Sequence, residues 1–407
     1  MRVLCSTTPM EGVFAPFVPL GKAFLAAGHE VLVVTGPDLL PRVAREGFAT
    51  RAAGPTAMEG AMAAMGDPAV AAAPEGEPWH FGAAMFGAVI APAKLPALRE
   101  AAEQFRPDLV LHPPVDLAAP LLATQLGLAS VTYGFGRPMD SNHVQAFATR
   151  VAPLWEQNGL DPDPCAGLYL CRYLDPSPPV LHGEPTAADP VSRPLRPELP
   201  GDASATLPGW VSQAGRPLVY LSLGTVPFFN QPDKFRLLLA DLAGEDIEIA
   251  VTVGELNDPA ALGKQPANVH IERWLPLAPL LPKCSAVVCH AGSGTTLAAL
   301  VCGLPLVLVP QGADQFTNAA ACEAAGVATV LRPHQLSSAA VRDAVRAVLA
   351  DGSAPAAGAR RAAAQIAAMP DAEKVVKDLQ ELASWPRTVL GSEPAAGALR
   401  DRRNGTG

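Results

Sequence analysis

The sequence has few aromatic and few charged residues. They make up 5% and 17% of its 407 positions, whereas 49% are apolar. The net charge of −9, from 30 Lys and Arg against 39 Asp and Glu, is the wrong sign for a protein that binds the nucleic-acid backbone. Binding of a single nucleotide is still possible, because it needs only a few directed hydrogen-bond donors. The 43 prolines and 35 glycines form about a fifth of the chain, less than in disordered or collagen-like sequences.

Disulfide and metal patterns are also lacking. The seven cysteines are odd in number and never spaced as C-x-x-C. Four of them lie in apolar runs such as AVVCHAG and ALVCGLP, where a buried free thiol is the simpler interpretation. No His/Cys cluster suggests a metal site, so we expect none.

No targeting or membrane segment is visible in the sequence. The start, MRVLCSTTP, has no charged region ahead of an apolar one, unlike a secretory signal. The most apolar stretch, 295–310, is interrupted by Gly303 and Pro305 and is too short to span a bilayer. We therefore expect a cytoplasmic protein that does not insert into a membrane.

Short β-branched runs alternate with Ala/Leu-rich helical stretches in both halves of the chain. The first half begins RVLCST, PLGKAFLAAG, HEVLVVTG, and the alternation restarts at PLVYLSLGT. This pattern is typical of parallel βαβ units. It predicts an α/β fold with two Rossmann-like domains facing each other across a cleft, which is an arrangement suited to two substrates.

Proline content and periodicity give the expected boundaries. The predicted parts are an N-terminal Rossmann-like domain (1–180), a proline-rich linker (181–209), a C-terminal Rossmann-like domain (210–364), a C-terminal helix (365–385) and a disordered tail (386–407).

The glycine-rich turn CHAGSGTT directly follows the strand SAVVC. Such a turn lets backbone approach a ligand, and the next helix directs its unpaired N–H groups and positive dipole end toward it. The residues expected to cradle a diphosphate are His290, Gly292, Ser293, Gly294, Thr295 and Thr296. A tight strand–helix connection without a ligand is the alternative.

Two further motifs occur in the same half. SLGTVP places Gly224 and Thr225 after a strand, and PQGADQFTNA presents Asp314 beside Gln315. A neighbouring carboxylate and amide offer both acceptors and donors for vicinal sugar hydroxyls. For Asp314, a helix N-cap before FTNAAACEAAG is the alternative and is compatible with that role.

The first half has two segments without clean periodicity, 57–76 and 137–160. Loops of this kind commonly line a variable binding surface. The candidate acceptor-binding residues in or near them are Trp79, Phe81, Met85, Phe86 and Phe135. An apolar, partly aromatic acceptor pocket and simple packing of loop against core both remain open.

Three motifs, VYLSLGT, RWLPLAPLLPKCSAVVCHAGSGTT and PLVLVPQGADQFTNA, occur in this order. With them the chain resembles the nucleotide-sugar-dependent glycosyltransferases of the GT-B fold, particularly the actinobacterial enzymes of antibiotic and other natural-product biosynthesis. The resemblance implies inverting transfer of a sugar to a hydrophobic small molecule, with a nucleotide sugar as co-substrate and no further cofactor. It also implies a final helix that crosses back to the first domain.

The resemblance further implies roles for residues of the donor half. Trp274 would stack on the base, and backbone near Leu275 would read the base edge. Relatives that use uridine diphosphate sugars often carry a Glu where this chain has Ala298, to bind the ribose 2′-hydroxyl. Its absence favours a deoxythymidine diphosphate (dTDP) donor.

The first half departs from the family at the general base. Relatives typically show G-H-x-x-P after the first strand, whereas Val13 stands at the histidine position here. The acid that follows the fourth strand in many relatives is Pro113 here. Neither residue can take or hold a proton.

Four explanations are open. A different base serves, with Asp140 or His143 as the best-placed candidates and His112 and Asp116 as weaker ones. Alternatively the acceptor needs little base catalysis, the protein is an accessory partner that binds donor, or it catalyses a different reaction. Three of these candidate bases also have an interpretation without a catalytic role: Asp140 as a turn or helix cap, His143 as a solvent-exposed loop residue and His112 as a packed residue at a strand end. An epimerase of the same architecture is a third class, and a homodimer is possible.

Overall fold

The computed structural model describes residues 1–74, 77–183, 186–213, 215–224, 229–254 and 257–384. These residues form two compact units. Unit 1 comprises Met1–Pro176, Glu184–Leu195 and the described residues from Pro370 onward, and unit 2 comprises Ser177–Gly183 and Arg196–Met369. Each unit is built on one parallel sheet with helices, so the predicted α/β fold of two Rossmann-like domains is confirmed.

Unit 1 contains a seven-stranded parallel sheet. Its strands are β1 (Arg2–Ser6), β2 (Glu30–Thr35), β3 (Ala49–Ala52), β4 (Leu109–His112), β5 (Ala129–Tyr133), β6 (Arg172–Asp175) and β7 (Ser192–Pro194). Their order is β3-β2-β1-β4-β5-β6-β7. Leu4 on β1 lies opposite Leu32 on β2 and Val110 on β4. Successive side chains of β1 join apolar clusters on opposite faces, as in a sheet covered by helices on both sides.

Nine α-helices precede β6 among the residues of unit 1 that the structure describes. They are α1 (Glu11–Phe14), α2 (Phe17–Ala26), α3 (Leu40–Arg45), α4 (Ala57–Met65), α5 (Pro68–Ala71), α6 (Trp79–Ala83), α7 (Ala91–Phe105), α8 (Ala118–Leu126) and α9 (Ser141–Gln157). A π-helical segment, Ala84–Ile90, joins α6 to α7. Helix α4 begins with a capping box, in which Thr56 Oγ1 accepts from the Glu59 N–H and the Glu59 carboxylate accepts from the Thr56 N–H.

Unit 2 contains a six-stranded parallel sheet. Its strands are β8 (Leu218–Ser222), β9 (Glu248–Thr252), β10 (Val269–Glu272), β11 (Ala286–Cys289), β12 (Leu306–Leu308) and β13 (Ala328–Val330), in the order β10-β9-β8-β11-β12-β13. Its helices are α10 (Gly209–Gln213), α11 (Pro232–Leu239), α12 (Leu277–Leu280), α13 (Ser293–Val301), α14 (Gln315–Ala324), α15 (Ser338–Leu349) and α16 (Ala354–Ala367). Strand order reverses between β8 and β11, and ligands of such sheets bind at this switch point.

Two segments differ from the sequence prediction. The proline-rich stretch 181–209 is not only a linker, because residues 192–194 form β7, where Arg193 lies opposite Leu174 of β6. An edge strand tolerates the proline that ends it. The expected helix 365–385 is divided at Pro370, which cannot continue α16. Helix α17 (Ala372–Ala383) follows and belongs to unit 1, where its apolar face packs in the core with α2.

The remaining domain boundaries stay predictions, and the predicted disordered tail, 386–407, lies outside the described residues. One helical run of the described chain, Trp79–Phe105, is long and apolar enough to cross a membrane. Half of its most apolar window is buried inside the structure, as is typical of a core helix. The absence of membrane insertion stays a prediction.

Candidate functional site

The turn between β11 and α13 is built around the imidazole of His290. A Cβ atom at Gly292 would lie 2.3 Å from His290 Nε2, and one at Gly224 would lie 2.6 Å from its Cε1. Gly224 also has a φ of +86°, which glycine adopts without strain. Only glycine at both positions leaves room for the ring, so the two predicted glycine turns meet at His290.

Burial lowers the pKa of His290 to about 4, opposed in part by a hydrogen bond with the backbone of Ser222. The ring is therefore neutral at pH 7. A neutral imidazole carries one N–H, so His290 donates to one acceptor at a time, either the backbone of Ser222 or an anion that replaces it, and brings no charge of its own.

The start of α13 has the features of an anion site. Its N-cap is Gly292, and no side chain caps the helix. The N–H of Thr296 bonds to the Gly292 carbonyl at 3.1 Å, which closes the first turn and leaves the N–H groups of 293–295 without an intrahelical partner. Their position and the helix dipole fit the predicted diphosphate cradle.

Asp314 is connected to this turn by hydrogen bonds. Its Oδ2 accepts from Ser293 Oγ at 3.2 Å and from Asn318 Nδ2 at 2.9 Å. Asn318 Nδ2 also lies 3.1 Å from the carbonyl of Ala291, a residue held at φ +66°. Asp314 occupies the N-cap position of α14, but its side chain makes no cap hydrogen bond. The carboxylate thus bonds to the glycine turn through Ser293 and to the side chain of Asn318 on α14, but it does not cap the backbone of that helix.

Asn318 is a site residue that the sequence reasoning missed. It stands four residues after Asp314 on α14, on the same helical face, and that spacing is the signal that could have identified it.

Gln315 is used differently from Asp314. Its side-chain oxygen accepts from the backbone N–H groups of Gln311, at 2.8 Å, and Gly312, at 3.3 Å, and the residue is only 3% exposed. The oxygen therefore holds the loop before α14, which leaves the amide nitrogen as the end that can bind a hydroxyl.

The residues predicted to bind the base lie after β10. Trp274 is 59% exposed, so its indole face is open for stacking, whereas the side chain of Leu275 is buried. The predicted donor residue Thr225 lies outside the described residues.

In unit 1 the position of the usual base is part of the core. Val13 is buried on α1 and packs in an apolar cluster with residues of β1, β2 and β4. The one carboxylate on this helix, that of Glu11, is paired with Arg42 at 3.1 Å.

The two weaker candidate bases are occupied within the fold. His112 Nδ1 lies 3.1 Å from the Pro113 carbonyl and Nε2 lies 3.0 Å from Ser130 Oγ, and burial lowers the pKa of His112 to about 4. Asp116 forms a fully buried ion pair with Lys94 at 2.6 Å. The packed alternative for His112 is therefore the one that the structure favours.

Lys94 was not singled out by the sequence. Besides Asp116, its ammonium donates to the carbonyl of Thr7 at 2.6 Å and to that of Val34 at 3.2 Å. It thus connects the ends of β1 and β2 to the loop after β4. A lone lysine in the apolar run 79–105 was the available signal, because a buried charge needs such partners.

The two better candidate bases form a pair at the start of α9. Asp140 caps the helix by accepting from the His143 N–H at 3.0 Å, and the same carboxylate receives His143 Nδ1 at 2.9 and 3.0 Å. These hydrogen bonds, first of all that from the ring, lower the pKa of Asp140. The His143 side chain is only 15% exposed, and its ring meets the edge of Trp79 at 5.7 Å. The cap alternative for Asp140 therefore holds, and the solvent-exposed alternative for His143 is wrong.

The predicted acceptor residues are divided between surface and core. Trp79 contacts His143, and Phe81 is exposed. Met85 is buried in a small apolar cluster, Phe86 packs edge-on against the ring of Phe147, and Phe135 packs on the core. Packing thus explains Met85, Phe86 and Phe135, and the five residues do not form one pocket wall.

Comparison with known proteins identifies the family. The family described as erythromycin biosynthesis protein CIII-like matches this chain with its N-terminal domain at residues 22–214 and its C-terminal domain at 236–382. The L-demethylnoviosyl transferase of Streptomyces niveus is 34% identical over 82% of this chain and 86% of that protein. The chain belongs to the erythromycin biosynthesis protein CIII-like family.

Solved structures agree with this membership. The glycosyltransferase SnogD from Streptomyces nogalater is 28% identical, with a TM-score of 0.75, over 94% of this chain and 99% of that one. The spinosyn rhamnosyltransferase SpnG, solved with thymidine diphosphate and also with spinosyn aglycone, is 27% identical, with a TM-score of 0.76, over 93% and 100%. The chain is a GT-B glycosyltransferase of natural-product biosynthesis, as its motifs predict.

Among the described residues, no three His, Cys, Asp or Glu side chains come together as a metal-binding group. Metal independence remains a prediction, as does the absence of any further cofactor.

The glycine requirement at His290 can be tested. In Gly292→Ala the added methyl group displaces the imidazole and distorts the start of α13. We expect at least about tenfold weaker binding of nucleoside diphosphate, or 1.4 kcal/mol, by calorimetric titration. Gly209→Ala is the matched control, because a Cβ there meets nothing within 4 Å. Unchanged affinity in Gly292→Ala would remove His290 and this turn from the donor site.

Proposed function

We propose that the protein transfers a deoxysugar from a dTDP-sugar to a hydrophobic small-molecule acceptor, with inversion at the anomeric carbon. The observation that carries the proposal is the packing of His290 against the glycines that precede the uncapped start of α13, together with Asp314, which is hydrogen-bonded to Ser293 of the same turn. SpnG, which shares the fold over nearly its whole length, was solved with thymidine diphosphate and with an aglycone, which supports these two substrate classes here.

The residue at the position linked to ribose recognition supports a deoxyribonucleotide. Ala298 is buried in the core of unit 2 on α13. It offers no group to a 2′-hydroxyl, so nothing at this position favours ribose over deoxyribose.

The proposed donor site stabilises the leaving group. As the acceptor oxygen attacks the anomeric carbon, the carbon–oxygen bond to the diphosphate breaks and negative charge grows on the diphosphate. The N–H groups at the start of α13 and the His290 N–H are fixed donors for that charge, and preorganised donors of this kind are a major source of catalysis. Asp314 would bind sugar hydroxyls from its position beside Ser293.

We assign the general base to His143 and the positioning of its ring to Asp140. An ionised carboxylate only accepts hydrogen bonds, so the proton of a neutral His143 lies on Nδ1 and Nε2 is left to accept a proton. The carboxylate also stabilises the imidazolium that forms. A paired histidine on α9 would thus replace the one that relatives carry at the position of Val13.

The base assignment predicts distinct effects on turnover and on donor binding. We expect His143→Ala to lower kcat by about 10²–10⁴-fold, the usual contribution of general base catalysis. Asp140→Asn should lower kcat by at least about 10²-fold while keeping a good N-cap, so that the helix persists. Calorimetry should give unchanged dTDP affinity for both variants.

His334→Ala, at an exposed histidine of unit 2, is the control and should keep full activity. A fully active His143→Ala variant would show that transfer uses another base or none. Binding of dTDP-sugar by the unmodified protein without glycosylation of any acceptor would contradict sugar transfer. The protein would then be an accessory partner that binds donor, a role that the burial of Val13 also fits.

The role of Asp314 gives a second test. Its loss should weaken binding of the nucleotide sugar by about tenfold to a hundredfold, since a hydrogen bond to a charged group contributes about 1.5–3 kcal/mol. Binding of bare dTDP should change far less in Asp314→Ala. Asp351→Ala, in an exposed turn, serves as the matched control. Equal losses for the two ligands would remove Asp314 from the sugar site.

A further inference from the structure

We propose that Gln311 and Lys234 form a sugar subsite of unit 2, which binds an oxygen substituent of the donor sugar and rejects a protonated amino group at the same position. The proposal rests on the proposed function, because it places the sugar of the donor beside Asp314 and Gln315. It adds the class of sugar, which is a neutral one with an oxygen atom facing this pair of residues and not an amino sugar.

Two segments at the carboxyl ends of the unit 2 strands meet at this subsite. One lies between β8 and α11, and the other lies between β12 and α14. A Cβ atom at Gly312 would lie 3.0 Å from Cε1 of Phe229, so the phenyl ring occupies the space that a side chain at position 312 would need. The segment that enters α11 therefore packs directly on the loop that carries Asp314.

The amide of Gln311 is oriented by a lysine. Lys234, in the first turn of α11, donates a hydrogen bond from its ammonium to Oε1 of Gln311. An ammonium group has no lone pair and can only donate, so the amide oxygen must be the atom that faces it. The contact thus leaves Nε2 of Gln311 as the end of the amide that can bind a ligand.

This amide nitrogen lacks a partner in the fold. Nε2 of Gln311 is enclosed and has no hydrogen-bond partner among the residues that the structure describes. An enclosed N–H group without an acceptor costs free energy, and an oxygen atom of a ligand would remove that cost. A protonated amino group could not, because it has no lone pair to accept with.

The subsite adjoins the residues that we propose bind the sugar. The backbone N–H of Gln311 donates to Oε1 of Gln315 at 2.8 Å, and Asp314 precedes Gln315 in the chain. Because its oxygen is used in this way, Gln315 also presents its amide nitrogen to a ligand. The two amide nitrogens and the ammonium of Lys234 are all hydrogen-bond donors, so the complementary sugar substituent is an acceptor.

The charge of Lys234 has no carboxylate partner among the described residues. Asp233, its neighbour on α11, pairs with Arg236 instead. The Lys234 ammonium is hydrogen-bonded to the neutral amide of Gln311, and the side chain is half-buried. A cationic sugar substituent would therefore be repelled, and repulsion between partly buried charges is screened less than repulsion between exposed ones.

The carboxylate of Asp314 does not reverse this preference. Its Oδ2 already accepts from Ser293 Oγ and Asn318 Nδ2, as described above. The positive charge of Lys234 offsets the negative charge of Asp314 across the loop. A sugar site with both charges suits a neutral sugar, whose hydroxyl groups can donate to the carboxylate and accept from the ammonium.

Binding of matched nucleotide sugars tests the subsite. The probes are dTDP-6-deoxyglucose and two analogues in which the hydroxyl group at carbon 3 or at carbon 4 is replaced by an amino group. The measurement is the dissociation constant by calorimetric titration. We expect the unmodified protein to bind the hydroxyl form at least about tenfold more tightly, or 1.4 kcal/mol, than the analogue whose amino group faces Lys234.

Two variants separate charge from shape. Lys234→Met keeps a long unbranched side chain but removes the ammonium, so the preference for the hydroxyl form should fall toward equality. Gln311→Glu replaces the donor nitrogen with a carboxylate oxygen, so the same amino analogue should then bind at least as tightly as the hydroxyl form. A merely structural role of either residue would lower the affinities for the hydroxyl and amino forms alike.

Lys264→Met, at an exposed lysine of unit 2, is the matched control and should keep the preference of the unmodified protein. Affinity for bare dTDP should be the same in all variants, which also reports that each is folded. The subsite is wrong if both amino analogues bind the unmodified protein as tightly as the hydroxyl form does. It is also wrong if Lys234→Met and Gln311→Glu leave the preference unchanged.

The subsite and the proposed function fail in different ways. Binding of bare dTDP, with equal affinities for the three sugars, overturns the subsite and leaves the proposed donor class in place. Absence of binding of bare dTDP and of every dTDP-sugar overturns the proposed donor site and the subsite with it.

Discussion

The donor half of the molecule depends on the placement of one imidazole between two glycines. His290 ends β11, and Gly224 follows the adjacent strand β8, so the contact joins the two strands at which the sheet order reverses. Any side chain at Gly224 or Gly292 would occupy the space of the ring. The turn fixed in this way begins α13, and Asn318 then links it to Asp314. Three separate sequence motifs thereby meet in one place, two of them through packing around His290 and the third through the hydrogen bonds of Asn318, which agrees with the membership of this chain in a glycosyltransferase family.

The acceptor half is organised by a different interaction. The ammonium of Lys94 is buried among the ends of β1 and β2 and the loop after β4, where it forms an ion pair with Asp116. Asp116 is the carboxylate nearest in sequence to Pro113, the position at which many relatives keep an acid. With Val13 buried as well, neither of these two positions offers a group for proton transfer. Histidine–carboxylate pairs in the described part of unit 1 include His80 with Glu77 and His143 with Asp140, and the second pair is at the start of α9, in the loop that the sequence also singles out. For this reason we place the general base at His143 and not at the position of Val13.

The sequence predicted the fold, and the positions of the glycine turns, because both depend on contiguous signals: strand–helix alternation and glycines directly after strands. The donor role of those turns stays a prediction. It missed contacts between residues distant in the chain, such as Lys94 with Asp116. It also named Asp140 and His143 separately, although their i, i+3 spacing at a helix start permits the observed pair. Met85 and Phe86 were expected to face a ligand but pack internally, since apolar composition alone does not give the side of a helix. Proline content suggested a linker at 181–209. Strand β7 forms within it nevertheless, because an edge strand needs few backbone N–H donors and so tolerates proline.

The most direct test of the account is the change in thermal unfolding caused by the diphosphates of deoxythymidine, uridine, guanosine and adenosine. At 100 times its dissociation constant, a ligand that binds only the native state stabilises it by about 2.7 kcal/mol, a shift of a few degrees for domains of this size. A donor site for dTDP-sugars predicts a selective rise in the unfolding temperature with the deoxythymidine form. Equal stabilisation by the uridine form would contradict the proposed donor, and no response to any of the four would contradict the donor site itself.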